Sequence, residues 1–464
     1  MMNLSDEALS RAAGAFLIPG NRIKLLKNAA ENYPAWITAI ESAQQWIHFE
    51  TFIIHEDDIG REFAALFAEK VRQGVKVRVV YDWAGGLGNA SRGFWRQMIA
   101  DGIDVRCFNP PRIDSPLGWI NRDHRKMIGI DGRLAFITGL CVGQRWVGYP
   151  ERGIDAWRDT GVEIEGPAVH EVERAFAEVW AVVGPPLPGG EKTDAGSIGE
   201  AGDVSIRVVD TVPNRGGIYR VDQLIATMAR SSIWLSDAYF IGTSSYVQAL
   251  AAAAAAGVDV RLLIPGATDV PIARALSRAG LRPLLEAGVR VFEWNGSMMH
   301  AKTAVADGQW ARVGSTNLNL TSWLGNWELD VIVEDQRFAR KMEVMYEEDL
   351  SHATEIVIGL RRRRPIVVAR GMPQRRRKAV GGRTTRAAAG VMRIGNAVGA
   401  AMTNRRKLGP AEAVIMLWSA AILVLFSVLA FIWPKAIAYP LVVISMWLAI
   451  SLFVRGFKLR RRSG

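Results

Sequence analysis

The sequence predicts an α/β fold of two tandem α/β/α halves packed as a pseudo-dimer, followed by a C-terminal hairpin of transmembrane helices. Helix-length and strand-length patterns alternate along residues 1–360, which is typical of an α/β protein. The same order of patterns and motifs occurs twice in this region. Two apolar runs near the C-terminus are each long enough to cross a bilayer core of about 30 Å.

Composition excludes several other classes of protein. A chain of 464 residues should form two or three domains at about 150 residues each. Its two cysteines, Cys107 and Cys141, exclude a disulfide framework and favour a reducing compartment. The six histidines include no pair at zinc-ligand spacing, so we expect no metal and no cofactor.

The first half is predicted as alternating helices and strands. Helical patterns over 35–46 and 60–73 are each followed by a strand pattern, at 46–54 and 75–81. Gly74 ends the second of these helices. Strands separated by helices of this length favour a mostly parallel sheet.

The second half repeats this order. A helix over 224–231 precedes a strand over 233–240, and a second helix over 245–256 precedes a strand over 258–264. The offset between copies drifts slowly, which indicates a tandem duplication with small insertions. It is 187 residues for Glu50 and Asp237, 183 for Gly74 and Gly257, and 176 for His124 and His300. Glu50 and Asp237 are thereby placed at equivalent strand positions, either near the site or supporting the sheet.

Composition also predicts the domain limits. A Gly- and Pro-rich stretch from residue 184 to 202 reads as a linker between the halves. The predicted segments are a first half over 1–183, the linker over 184–202, a second half over 203–360, a basic juxtamembrane segment over 361–410, two transmembrane helices over 411–454 and a basic tail over 455–464.

Charge and hydropathy at the C-terminus predict a membrane anchor. The apolar runs are Ala411–Trp433 and Ala436–Val454, and we favour membrane spans over a buried helical hairpin because basic clusters flank both. Residues 361–407 hold 15 Lys and Arg with no acidic residue. Part of this segment, around 391–402, is either an interfacial helix or a disordered basic linker. The positive-inside rule places both flanks, and with them the catalytic body, in the cytoplasm.

The catalytic body itself is acidic. The whole chain has a net charge of +11, but residues 1–360 carry 36 Lys and Arg against 45 Asp and Glu, a net charge of −9. Nucleic-acid enzymes usually concentrate positive charge on the catalytic body. The distribution therefore disfavours nucleic acid as a partner and favours an anionic membrane surface.

Two copies of one motif carry the chemistry. His124-Arg-Lys126 precedes Asp131-Gly132, and His300-Ala-Lys302 precedes Asp307-Gly308. Asp-Gly between strand patterns predicts a β-hairpin, and strand alternation places each His and Lys on one face. An imidazole can attack phosphorus or protonate a leaving oxygen, and an adjacent ammonium stabilises the developing charge. Two such motifs suggest one phosphodiester site built from two halves.

These motifs resemble the phospholipase D superfamily. The duplicated pattern is His-x-Lys followed by Asp-Gly, with Gly314-Ser-Thr-Asn317 behind the second copy. Within the superfamily, the stretches around His124, Trp157-Arg-Asp-Thr160 and Gly314–Leu318 are similar to those of bacterial cardiolipin synthases. The resemblance covers about residues 20–350.

The resemblance implies the site residues and their roles. One His forms a phosphohistidine and the other protonates the departing alcohol and later deprotonates the acceptor. His124 is favoured as the nucleophile and His300 as the acid and base, while Lys126 and Lys302 bind phosphate oxygens. Asn317 and Ser315 are expected to assist in binding substrate. Asp131 and Asp307 are further candidates for binding substrate, although their place in the Asp-Gly turns favours a structural role.

The resemblance also implies that a carboxylate orients each histidine. By spacing, Asp159 is assigned to His124 and Glu328 to His300. The first copy departs from the family pattern, because Thr138-Gly-Leu-Cys141 stands where an Asn donor is expected. We still expect activity, since both His and Lys pairs are present.

We therefore expect a membrane-anchored phosphatidyltransferase that resembles cardiolipin synthase. Phosphatidylglycerol would donate the phosphatidyl group, and a second phosphatidylglycerol or another alcohol would accept it. The alternatives are a hydrolytic phospholipase D, a nuclease of the same superfamily and an inactive membrane adaptor. The expected location is the bacterial inner membrane, with the catalytic domains in the cytoplasm.

Overall fold

The structure, a computed structural model, describes residues 6–111, 120–194, 196–358 and 365–367, and single positions between 421 and 453. The chain divides into two compact units. One comprises residues 1–108 and 122–382, and the other comprises 109–121 and 383–464. All the elements named below belong to the first unit.

The first half contains seven strands and six helices among the described residues after an initial helix α1 (Asp6–Ala13). In chain order these elements are β1 (Ile18–Lys27), α2 (Asn28–Ser42), β2 (Trp46–Thr51), α3 (Asp58–Arg72), β3 (Lys76–Asp82), α4 (Trp83–Gly86), α5 (Arg92–Ala100), β4 (Asp104–Phe108), β5 (Met127–Ile130), β6 (Leu134–Thr138), α6 (Gln144–Val147), β7 (Thr160–Glu165) and α7 (Val169–Val183). The predicted helices and strands of this half are confirmed, with α2 beginning seven residues earlier than expected.

The second half repeats this order of strands. Its described elements are β8 (Val204–Thr211), α8 (Gly217–Met228), β9 (Ser232–Ser236), α9 (Ser244–Ala255), β10 (Asp259–Pro265), α10 (Pro271–Gly280), α11 (Arg282–Glu286), β11 (Arg290–Trp294), β12 (Thr303–Ala306), β13 (Trp310–Gly314), α12 (Leu320–Leu324), β14 (Glu328–Val333), α13 (Gln336–Ser351), β15 (Ala353–Ile358) and β16 (Pro365–Val367). Both predicted hairpins are present, as β5–β6 and β12–β13.

The described strands of both halves form one continuous mixed sheet. Its order is β16-β15-β11-β10-β9-β12-β13-β14-β8-β1-β7-β6-β5-β2-β3-β4, and the antiparallel pair β1–β8 joins the halves. Among the strands that the structure describes, those that pair in parallel are β2–β3–β4 and β9–β10–β11. The expectation of a mostly parallel sheet was wrong, because each half adds a hairpin and a return strand to its βα units, and those strands run antiparallel.

The strand register corrects one predicted equivalence. Glu50 pairs with Met127, and Ser236 pairs with Thr303. Met127 and Thr303 each follow their motif histidine by three residues, so Glu50 corresponds to Ser236 and not to Asp237. A shift of one residue turns a side chain to the opposite face of the sheet. Glu50 and Asp237 therefore have no common role.

Helices cover both faces of the sheet. On one face, α7 and α13 both contribute to a core shared by the two halves, with buried residues such as Phe176, Trp180, Phe338 and Met342. On the other face, α2, α3 and α5 cover the first half, and α1, α8, α9 and α11 cover the second. The shared core and the continuous sheet hold the two motifs in fixed positions.

The chain between the halves lies against the first half. Glu191 pairs with Arg78, and the Arg106 guanidinium donates to the Pro185 carbonyl at 2.7 Å while stacking on Trp180. The domain limits at residues 183, 202 and 360 stay a prediction.

The predicted C-terminal features fall largely outside the described residues. These are the basic segment over 361–410, the spans over 411–433 and 436–454, and the basic tail over 455–464. Among the residues that the structure does describe, no helix is both long enough and apolar enough to cross a membrane.

Candidate active site

The two halves meet through backbone hydrogen bonds at the two motifs. The His124 N–H donates to the Trp327 carbonyl at 2.9 Å. On the other side of the site, the His300 N–H donates to the Arg158 carbonyl at 2.7 Å, and the Arg158 N–H donates to the Met298 carbonyl at 2.8 Å. Each motif is thus paired with the segment that precedes β7 or β14 in the opposite half.

Through this pairing, the carboxylate of each half lies beside the histidine of the opposite half. Glu328 Oε2 lies 2.9 Å from His124 Nδ1, and Asp159 Oδ2 lies 2.6 Å from His300 Nδ1. The predicted assignment of Asp159 to His124 and Glu328 to His300 was therefore wrong, although the four residues are brought together as expected. The site is composite, because each half supplies the carboxylate for the other half's histidine.

The carboxylates are exchanged because each one directly follows the residue whose carbonyl pairs with the opposite motif. Trp327, whose carbonyl holds the His124 backbone, immediately precedes Glu328, and Arg158 immediately precedes Asp159. A side chain one residue beyond such a bridge reaches the imidazole of the paired strand. Spacing along the chain gives the distance to the nearer motif only, so it cannot reveal the crossing.

His124 is held by its Nδ1 atom alone. That nitrogen lies 2.9 Å from Glu328 and 3.1 Å from the Ser315 carbonyl, and Nε2 has no hydrogen-bond partner among the described residues. The Phe52 ring lies 5.1 Å from the imidazole. Burial is the main effect on the pKa of His124 and lowers it below its ordinary value. The Glu328 carboxylate raises this pKa and the charge of Lys126 lowers it. This lowered pKa favours the neutral form of the imidazole.

His300 is enclosed more completely. The rings of Trp157, Trp146 and Tyr239 lie 5.5, 5.8 and 6.2 Å from its imidazole. Burial, and secondly the charge of Lys302, lower the pKa of His300 to about 4. The side chain of His300 is 7% exposed, compared with 12% for His124.

The two lysines lie over the backbones of their own motifs. Lys126 Nζ donates to the His124 carbonyl at 2.6 Å, and Lys302 Nζ donates to the His300 carbonyl. Lys302 Nζ also lies 3.0 and 3.1 Å from the two ring nitrogens of His300. Burial lowers the pKa of Lys302 to about 8. Two cations in a buried site favour an anionic ligand such as a phosphodiester.

Different donors hold the two carboxylates. Asp159 accepts the Thr160 N–H at 2.9 Å and the Trp146 indole N–H at 3.2 Å. Burial raises its pKa, but the charges of His300 and Lys302 outweigh burial and lower it to about 2. The sequence did not indicate Trp146 as a site residue, because nothing in its spacing distinguishes it from a core tryptophan.

Glu328 uses other groups. Its Oε1 accepts the Asn326 side-chain amide at 3.2 Å. Although burial raises the pKa of Glu328, the neighbouring His124 and Lys126 lower it below its ordinary value. Each carboxylate is thereby kept charged beside the histidine it holds.

Ser315 and Asn317, which were predicted to assist in binding substrate, differ in whether their side-chain oxygens already have hydrogen-bond partners. Ser315 Oγ accepts the Leu329 N–H at 2.9 Å and donates to the Leu329 carbonyl at 3.3 Å, so its side chain holds β14 in place. Asn317 Oδ1 is buried and has no hydrogen-bond partner among the described residues. Asn317 therefore stays a candidate for binding substrate, whereas Ser315 acts through its carbonyl on His124.

The first copy differs at the equivalent positions. Gly139 stands where the second copy has Ser315, and a Cβ there would lie 2.1 Å from Asp159 Oδ1, so no side chain fits. Cys141 replaces the amide of Asn317 and is buried. A small cavity lies beside Cys141 and Lys126.

Asp131 and Asp307 serve the turns. Asp131 accepts the backbone N–H groups of residues 44, 45 and 46, each at 2.8 Å. Asp307 accepts those of residues 230, 231 and 232 at 2.8 to 3.2 Å. Both lie at the far end of their hairpins from the lysines, with positive φ angles of 51° and 52°. These contacts correct the expectation that the two aspartates bind substrate.

The described residues contain no group of three or more His, Cys, Asp and Glu side chains arranged to hold a metal ion. The groups that the site brings together are the two imidazoles, their carboxylates and the two ammonium groups. Together they can attack a phosphodiester, protonate its leaving oxygen and stabilise the charge on its other oxygens.

Comparisons with known proteins agree with this chemistry. A family model described as "Cardiolipin synthase, PLD-like domain" matches residues 36–180 and 223–350. The probable cardiolipin synthase YwiE of Bacillus subtilis is 31% identical over 352 residues, which cover 75% of this chain and 69% of the relative. The cardiolipin synthase of Geobacillus thermodenitrificans is 33% identical over 336 residues, 72% of this chain and 66% of the relative.

A solved structure shares the fold. The crystal structure of phosphatidylserine synthase from Haemophilus influenzae aligns with a TM-score of 0.57 at 16% identity, covering 75% of this chain and 92% of that one. At this identity the likeness concerns the fold alone.

Proposed function

The chain belongs to the cardiolipin synthase family of phospholipase D-like enzymes, and from this premise we propose that it transfers a phosphatidyl group from phosphatidylglycerol to the hydroxyl of a second lipid. The observation that supports this most directly is the composite site. Two histidines, each held at Nδ1 by a carboxylate of the opposite half, lie beside two lysines in one buried centre. This arrangement suits two in-line displacements at one phosphorus.

In the first step, His124 attacks the donor. Its Nε2 lone pair forms a bond to phosphorus, the bond from phosphorus to the headgroup oxygen breaks, and His300 Nε2 gives its proton to that oxygen. Glycerol leaves, and a phosphatidyl-histidine remains. Lys126, Lys302 and Asn317 stabilise the phosphate oxygens as charge develops. Glu328 stabilises the positive charge on the substituted imidazole.

In the second step, His300 acts as a base. It takes the proton of the acceptor hydroxyl while the acceptor oxygen bonds to phosphorus and the bond from phosphorus to His124 breaks. The product is cardiolipin when the acceptor is phosphatidylglycerol. Both histidines return to their starting state, so the cycle needs no cofactor.

The contacts of the two histidines support the proposed roles. Nucleophilic attack needs an accessible, neutral nitrogen, and His124 Nε2 has no partner among the described residues. The His300 side chain is more enclosed, at 7% exposure against 12% for His124, which restricts the approach of its Nε2 to phosphorus. The bound phosphodiester adds a negative charge next to His300, which raises its pKa and lets it carry the proton for the first step.

The proposed location is the cytoplasmic face of the bacterial inner membrane. Both apolar runs, over 411–433 and 436–454, meet the length requirement for a membrane span, and the basic residues on either side suit an anionic leaflet. An anchored site would meet its lipid substrates without extracting them from the bilayer.

One incubation tests the reaction. Purified full-length protein in mixed micelles with phosphatidylglycerol should form cardiolipin and glycerol, measured by mass spectrometry. His124→Ala and His300→Ala should each lower the rate by roughly 10⁴-fold or more, because groups that act as a unit cannot replace one another. Substantial activity in either single variant contradicts the composite site. Phosphatidic acid without cardiolipin indicates the hydrolytic alternative, and cleavage of DNA with no lipid turnover indicates a nuclease.

A further inference from the structure

An aromatic wall covers the acid and base histidine but not the nucleophile. The wall consists of Trp146, Trp157 and Tyr239, whose rings lie 5.8, 5.5 and 6.2 Å from the His300 ring. Within the described residues, the only ring contact of His124 is with Phe52. The two histidines therefore face different surroundings in the second step of the reaction.

Trp157 occupies the position that Asn326 holds in the second half. Each lies two residues before the orienting carboxylate, and one residue before the residue that pairs with the opposite motif. Asn326 uses its amide to hold Glu328. In the first half this task falls to the Trp146 indole N–H, which donates to Asp159 at 3.2 Å. The ring of Trp157 is thus not required to orient a carboxylate.

Trp157 is nevertheless fixed in place. Its backbone N–H donates to the Arg145 carbonyl at 3.1 Å, and the Arg145 guanidinium lies 5.8 Å from its ring. The ring also packs on Trp146 at 5.0 Å. The side chain is only half-buried. A held, partly exposed indole beside the general base presents a defined apolar surface to an incoming acceptor.

We propose that Trp157 selects the acceptor of the second step, favouring a lipid alcohol over water. An attacking water needs two to four polar partners to be held in position, and the face of an indole offers none. The carbon atoms of a glycerol headgroup pack on that face and bring the hydroxyl next to His300. This inference rests on the proposed transferase function and deepens it, because it names the residue that separates transfer from hydrolysis.

The partition between two products measures this choice directly. Water and a lipid alcohol react with the same phosphatidyl-histidine: each loses a proton to His300, forms an oxygen–phosphorus bond and breaks the bond to His124. Water yields phosphatidic acid and phosphatidylglycerol yields cardiolipin. The ratio of the two products therefore reports acceptor choice and does not depend on the amount of active enzyme.

The test compares Trp157→Asn, which introduces the residue of the second half, with Trp157→Phe, which keeps an aromatic face. In the full-length protein with phosphatidylglycerol micelles, Trp157→Asn should lower the ratio of cardiolipin to phosphatidic acid by at least about fivefold. Trp157→Phe should stay within about twofold of the wild type. Trp310→Phe is the matched control, since Trp310 is a buried tryptophan of β13 and packs in the core of the second half.

The outcomes are distinct. An unchanged ratio in Trp157→Asn, whatever the total rate, overturns the inference and leaves Trp157 as packing for His300. A ratio that falls equally in Trp157→Phe also overturns it. If Trp157→Asn yields no folded protein by circular dichroism, Trp157→His supplies the polar side chain and decides by the same ratio. A wild type that forms neither product refutes the proposed function, and the inference falls with it.

Discussion

The two halves of this molecule share a fold but not the surroundings of their reacting groups. Both have a βα-derived sheet, an Asp-Gly hairpin and a histidine whose Nδ1 is held by the opposite half. The two halves therefore contribute matching histidines and carboxylates to one composite site.

The residues around that centre differ between the halves. Asp159 is held by a tryptophan indole, and Glu328 by an amide. Cys141 stands where the second half has Asn317. An enclosed His300 and a more open His124 can then take different tasks, which a symmetric site could not assign. The comparison teaches that duplication preserved the paired histidines, lysines and carboxylates, whereas the residues around them diverged.

Substitution of the carboxylates that hold the histidines of the opposite halves should have the largest effect on activity. Asp159→Asn and Glu328→Gln should each lower kcat by about 10³- to 10⁴-fold, as expected when the tautomer of a catalytic imidazole is no longer fixed. The decisive readout is ¹⁵N NMR of the imidazoles. Asp159→Asn should alter the tautomer of His300 and leave that of His124, and Glu328→Gln should do the reverse. The opposite pattern would mean that each half orients its own histidine.

Substitution of Trp146 tests whether the two carboxylates depend on different hydrogen-bond donors. Trp146→Phe keeps a ring in the core and removes the N–H that Asp159 accepts, so kcat should fall by about tenfold or more, given the strength of hydrogen bonds to charged groups. The carboxylate becomes more basic without this donor, and the pKa of His300 should rise. Trp310→Phe should leave the pKa of His300 where it is. An unshifted His300 in Trp146→Phe would reduce Trp146 to a packing residue.

Lys302 makes anion binding depend on pH. Its pKa of about 8 lies below the ordinary value for lysine, so it is cationic below pH 8 and neutral above it. Binding of sulfate, whose charge is constant in this range, should weaken by about tenfold between pH 7 and pH 9. Calorimetric titration measures the affinity. Lys302→Arg should abolish this weakening, because arginine stays charged; a decline of the same size in that variant would exclude Lys302 as the titrating group.

The turn aspartates should give the smallest effect on activity. Asp131→Ala and Asp307→Ala each remove an acceptor for several backbone N–H groups and leave a non-glycine residue at positive φ, at a cost of about 1–2 kcal/mol in the free energy of unfolding. Urea denaturation measures this loss. The rate per folded molecule should stay within about twofold of the wild type. A strong rise in KM for either variant would return the aspartates to the substrate site.

Much of the site could be predicted because its motifs are local. The spacing of His124 to Lys126 and of His300 to Lys302, each followed by Asp-Gly, needs only strand alternation and turn chemistry to be interpreted. Asp159 and Glu328 were found through resemblance. Their partners were assigned wrongly, because a carboxylate close to one histidine in sequence is bonded to the other in space.

Other features depended on register and packing. The equivalence of Glu50 and Asp237 failed by one residue, since an insertion between copies moves the strand register without leaving a signal in the hydrophobic pattern. Trp146 gave no sequence signal either, because a tryptophan at such a position is usually a core residue. Trp157 belonged to a stretch that carried the resemblance, but nothing in the sequence placed its ring beside His300.

The sequence by itself determined the duplicated α/β halves, the two hairpins and the four His and Lys groups, because each depends on residues only a few positions apart. Only the tertiary structure decided the mixed sheet, the exchange of carboxylates between the halves and the aromatic wall around His300. Those features arise where segments distant in the sequence come into contact, and spacing along the chain carries no record of such contacts.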